Sequence, residues 1–256
     1  MRTVEERFLT EMTTAKATLG LVGKLIHLAR APATSGNSQF ETAARDIVSS
    51  ILANRDWEFI SYDGVFLYVV VRFEVAVEQL VEKMVAAIPA RKPLYADVPS
   101  CIRNRHIKGV AHIMQHPSMY SNSVRPEYAV GALADCLRPI GAPYAMVPQA
   151  FSQDHDNLWP RVLADIFARL GVKDLWKCVG RYKAMQRHLG TQGRIKITAA
   201  KAQTALSDII TKRNEVAHPG LRSQALGATQ VAGYLDYLEV LVPVLRANLT
   251  NHLARL

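Results

Sequence analysis

Residues 213–220 read Arg-Asn-Glu-Val-Ala-His-Pro-Gly. Arginine is a permanent cation with a planar fork of donors, and histidine moves protons near neutral pH. Arg213 and His218 lie about one helical turn apart, so both side chains can reach one small volume. Asn214 sits between them in the sequence and can hydrogen-bond to either one or to a ligand. A fixed positive charge beside a proton carrier suits chemistry on an anion. The same residues also suit an ordinary helix end, because cations are favoured in a last turn and Pro-Gly stops a helix. Both readings stand on these residues alone.

The element that must position them is a helix expected over 198–217, with Thr198 as its N-cap. On a wheel of 100° per residue, Ala202, Leu206, Ile209, Ile210, Val216 and Ala217 share an arc. Arg213 falls near its centre, so it projects from the face expected to be buried. A buried guanidinium is costly unless paired. Arg213 must therefore meet a carboxylate, reach a helix end, or face a cleft or a partner chain. His218 precedes Pro219, a position biased away from helical dihedrals, so its direction cannot be read from the wheel.

The remaining pattern is helical too. A mixed-face helix is expected over 3–31, and a shorter one over 40–54 after the small-residue break ATSGNS at 33–38. The strongest stripe is Phe66, Val70, Phe73, Val77, Leu80, Met84 and Ile88, at steps of three and four within 62–88. Further helices are expected at 101–117, 126–138 with Pro126 at the first position, 157–170, 173–189, and from 229 to near the C-terminus, where Pro243 is expected to bend the helix. The proline-rich 138–157 reads as a long irregular connection. With no hairpin signal and no internal repeat, the fold class is all-α. Residues 1–58 read as an N-terminal helical extension and 59–256 as a helical domain with an insert at about 89–200.

Composition narrows the partners. The 256 residues carry a formal charge of +9, which favours polyanions, either nucleic acid or an anionic membrane face. Cys101, Cys136 and Cys178 have no metal-ligand spacing, and neither a phosphate-binding glycine loop nor a Ser/His/Asp cue is present. The N-terminus carries acidic residues where a signal peptide would be apolar. VFLYVVV at 65–71 is too short to span a bilayer. A cytoplasmic protein with no membrane partner, no metal and no cofactor is expected.

A next-to-last helix ending in Arg-Asn-x-x-x-His and followed by a long final helix resembles the HEPN superfamily, most closely its RiboL-PSP type. The resemblance covers about 60–250. Three other Arg-to-His pairs fit the loose spacing, Arg105 to His112, Arg181 to His188 and Arg246 to His252. Only Arg213 is followed by Asn, lies in an apolar stripe and sits in the next-to-last helix. The best rival is 103–112, where polar His106 follows Arg105.

What the resemblance implies is a metal-independent endoribonuclease working as a dimer that brings two Arg/His sets together across a cleft. In that chemistry the 2′-OH attacks phosphorus and leaves a cyclic phosphate. His218 would move the proton, Arg213 would stabilise the phosphorane-like charge, and Asn214 would orient either group or hold a phosphate oxygen. Glu74 and Glu78, one turn apart, could pair with Arg213. Lys212, Arg181 and Lys183 are the expected substrate-binding cations, the last two within the basic stretch 177–183. A free ribonuclease harms its host, so a toxin or antiphage defence effector is expected, with an antitoxin, a ligand or residues 1–58 as restraint. The alternative is a silent HEPN module that binds RNA or a protein partner.

Overall fold

A computed structural model describes residues 1–30, 46–47, 50, 57–120, 123–138, 143–151, 157–218 and 226–256. Among these, nine α-helices occur and no strand. They are α1 (Arg2–Arg30), α2 (Trp57–Arg91), α3 (Ser100–Gln115), α4 (Pro126–Leu137), α5 (Pro160–Arg169), α6 (Leu175–Arg181), α7 (Lys183–His188), α8 (Ile195–Ala217) and α9 (Ala228–Leu253). The expected linker at 33–38 and nearly all of the expected 40–54 helix lie outside the described residues, as do 139–142 and 152–156 of the irregular connection.

The centre of the molecule is α2. Phe66, Val69, Val70, Phe73, Leu80, Val81, Met84 and Ile88 are all fully buried. Removing each large apolar side chain from water contributes about 1.5–3 kcal/mol. α1 and α9 pack against α2 and against each other. Val4, Phe8, Met12, Ala15, Leu19 and Val22 make one stripe of α1 at steps of three and four. Ion pairs lock its rim: Arg72 of α2 makes a two-pronged bond to Glu11 of α1, with Nε–Oε2 at 2.7 Å, and Lys16 reaches Asp236 at 2.7 Å and Glu239 at 2.6 Å on α9. α9 runs unbroken through Pro243.

The second layer holds α3 to α8. α8 lies beside α9 in the opposite direction. The Tyr237 hydroxyl donates to the Ala202 carbonyl at 2.7 Å, and the Tyr234 hydroxyl, one turn earlier on α9, donates to Asp208 Oδ2 at 2.7 Å, further along α8. α6 packs closely on the start of α8, because Gly180 leaves room there: a Cβ at that position would clash with the Ile195 carbonyl. The chain expected as one helix at 173–189 is two. Tyr182 takes an extended conformation between α6 and α7.

Candidate active site at the end of α8

α8 begins at Ile195, three residues before Thr198, so Thr198 is not its N-cap. The Thr198 hydroxyl instead donates to the Arg194 carbonyl at 3.0 Å and lies 2.6 Å from the Thr191 hydroxyl. Ile195 and Ile197 are exposed, so the first turn carries no apolar periodicity to mark its start.

Ala202, Leu206, Ile209 and Ile210 are fully buried. The stripe then leaves the core. Arg213 and Val216 are half-buried, and Ala217 and His218 are exposed. Arg213 therefore continues the buried face of α8 but stands at the margin of the core, not in the middle of it. Full burial ends before the helix does, which a wheel cannot register.

Asn214 ties the group together. Arg213 Nη1 donates to Asn214 Oδ1 at 3.2 Å. The Asn214 backbone carbonyl accepts the His218 N–H at 3.0 Å, closing the helix at His218, whose φ of −124° and ψ of 81° leave the helical region. His218 thus turns out of the helix with an exposed imidazole. Pro219 and Gly220 lie outside the described residues.

Across from Arg213, on α2, stands Glu74. Burial pushes its carboxyl above the ordinary range, and the Arg213 guanidinium acts in the opposite direction. Glu74 Oε1 is buried and has no hydrogen-bond partner among the described residues. Glu78 is exposed, and its charge bears on Glu82 instead. Behind the site, Gln230 Nε2 donates to the Tyr234 hydroxyl at 2.8 Å, extending the Tyr234–Asp208 bond into a chain that holds α8 to α9. Nothing in the spacing of these residues announces that chain.

The three substrate-binding candidates part company. Lys212 neighbours Arg213, but its ammonium meets Glu215 Oε2 at 2.7 Å. Arg181 and Lys183 lie at the other end of α8. Gly180, next to Arg181, faces Ala199. Ala199 is 14 positions from Arg213 along α8, about 21 Å at 1.5 Å per residue.

His106 and the histidines of two rival pairs are spent on structure, while Arg181 and His188 of the third are exposed. His106 is fully buried. Its Nε2 accepts the Val147 N–H at 3.0 Å, and its Nδ1 lies 3.1 Å from the Tyr95 hydroxyl. Burial lowers its pKa to about 4, so it is neutral. His112 Nδ1 is 3.0 Å from the Tyr120 hydroxyl. His252 Nε2 is 2.9 Å from the Leu170 carbonyl, and Arg246 is paired with Glu5. Among the described residues no three His, Cys, Asp or Glu side chains converge as a metal site, and no helix is long and apolar enough to cross a membrane.

The family model RiboL-PSP-HEPN matches residues 67–251, which include Glu74 and all of 213–218. The chain belongs to the RiboL-PSP-HEPN family. Nothing among the curated proteins or the solved structures matches it. The HEPN fold is all-α, as this chain is, and the family points to ribonuclease-type or nucleotide-related chemistry. HEPN domains often dimerise and bind RNA. α1 lies before the matched residues, yet it packs into the same core as the HEPN helices α2 and α9.

Proposed function

We propose that this HEPN chain is a metal-independent endoribonuclease whose site is completed by a second copy, with Arg213, Asn214 and His218 as its working residues. The observation that carries the reading is the Arg213–Asn214–His218 unit. A half-buried guanidinium is held by a neighbouring amide, and an exposed imidazole turns out of the helix one turn on.

In the reaction, the His218 imidazole takes the proton from the 2′-OH. The O2′ electron pair attacks phosphorus, and the P–O5′ bond breaks. The products are a 2′,3′-cyclic phosphate and a 5′-hydroxyl. The leaving O5′ needs a proton, which the imidazolium of a second copy's histidine can supply. Arg213 stabilises the charge on the non-bridging oxygens, which is greatest in the transition state.

A second copy has a surface to use. Ile60, Gly64, Tyr68 and Val71 follow each other along α2 at steps of four, four and three, and all are exposed. Ile60 is 62% exposed, Val71 48% and Tyr68 45%. One turn on stands Glu74, the residue opposite Arg213. A copy seated on this stripe would bring its own α8 end towards the first.

The second reading, a silent module, draws on Glu74, whose carboxylate competes with a phosphate for Arg213. One assay separates the two. The purified chain is incubated with mixed RNA and EDTA beside Arg213→Ala and His218→Ala. The expected result is cleavage to cyclic-phosphate ends, lowered about a hundredfold or more in either variant. RNA binding without cleavage selects the silent module. Cleavage that both variants retain in full removes the motif from the mechanism. A toxin or antiphage role, with an antitoxin or other restraining partner, follows from the hazard of a free ribonuclease and belongs to the same proposal.

A further inference from the structure

At the end of α8 remote from Arg213, the last turns of α9 and the face of α6 enclose an open cavity of about 330 Å³. Three separate segments supply its cations. Lys173 comes from the turn after α5, Arg181 ends α6, and Arg255 follows α9. Among the described residues, no carboxylate side chain lines it. Asn248, Asn251 and Tyr182 add neutral polar groups, with Asn251 Nδ2 donating to the Tyr182 hydroxyl at 3.3 Å. His252 lines it too. Burial, joined by the charge of Arg255, holds that imidazole below its ordinary pKa, although its bond to the Leu170 carbonyl works the other way. The cavity's positive charge therefore rests on Lys173, Arg181 and Arg255.

Arg255 alone would be an ordinary cation at a helix C-terminus. Lys173 and Arg181 belong to other segments and point into the same space. Like charges gathered without a carboxylate repel one another, and a bound anion offsets that repulsion. The volume is at the lower end of the range for small-ligand pockets and exceeds what a lone phosphate fills. Amides offer both donors and acceptors, which suits sugar hydroxyls and base edges.

We propose that this cavity is a second anion site, which binds the phosphate of a nucleotide, either free or as one unit of an RNA strand. It stands apart from the Arg213 site and does not depend on the chain being a ribonuclease.

The test is calorimetric titration of the whole chain with AMP, with adenosine, and with a short 2′-O-methyl RNA that cannot be cleaved. Arg181→Gln/Arg255→Gln is compared with Arg213→Ala; Arg181 and Arg255 are exposed, and an unchanged melting temperature verifies the fold. AMP that binds where adenosine does not, with affinity lowered about tenfold or more in the double variant and kept in Arg213→Ala, supports the site for a free nucleotide. The same pattern with the RNA alone supports it for a strand. The proposal is wrong if the double variant binds like the wild type, or if neither phosphate-bearing probe binds.

Discussion

Glu74 lies under two opposed influences, burial raising its pKa and Arg213 lowering it. Removing the guanidinium leaves burial alone. In Arg213→Ala the Glu74 carboxyl should therefore titrate at a higher pH than in the wild type, as followed by carbon NMR of the glutamate side chains. An unchanged titration would mean that the two groups do not sense each other. The sign for stability follows. A carboxyl with a raised pKa in the folded state binds more protons folded than unfolded, so stability falls as pH rises from its ordinary value through the raised one. Arg213 reduces that loss. One arginine thus serves both the fold, by easing a desolvated carboxylate, and the proposed chemistry. The sequence made Arg213 conspicuous because an arginine interrupts an apolar stripe, and it put Glu74 within reach as a partner. It did not reveal that Lys212 is taken up by Glu215, because a residue three positions along a helix is always a possible partner and only geometry selects it.

Among the helices, strong periodicity was legible and weak periodicity was not. The stripe from Phe66 to Ile88 marked α2, which in the structure starts at Trp57 and ends at Arg91. The start of α8 was misplaced because its first turn is exposed, and the break at Tyr182 was missed because no proline stands there and Gly180, two residues earlier, stays inside α6. The buried role of His106 was hidden as well, since its partners Val147 and Tyr95 lie in other segments. That histidine makes α3 sensitive to acid. Its pKa is about 4 when folded against 6.5 when free, so the unfolded chain binds more protons between those values and stability falls as pH drops through that window. The loss across that window is on the order of 3 kcal/mol. Thermal melts should show this loss from pH 6.5 to 4. His106→Gln should melt lower at neutral pH but lose less across the same window, and an equal loss in both proteins would place the acid sensitivity elsewhere.

For the molecule as a whole, the exposed stripe on α2 is where assembly is expected. Val71→Glu places a charge at its end nearest Glu74 without touching the core. Light scattering should then report a monomer against the dimer expected of the wild type, and RNA cleavage should fall with it while the melting temperature stays close to that of the wild type. A variant that remains fully dimeric would put the contact on another face. Full burial of α8 ends at Ile210, and the turn bearing Arg213 runs on along the margin of the core, with Val216 still packed against it and only Ala217 and His218 exposed. That exposed tip is the part of α8 a second copy would meet under the proposed pairing. Under the proposed pairing, working sites would follow the square of abundance when chains are scarce: halving the number of chains would quarter the number of sites. Gene dosage and dilution by growth would then keep a dangerous enzyme quiet, with no inhibitor required at low expression, and a sudden rise in synthesis would be enough to arm it.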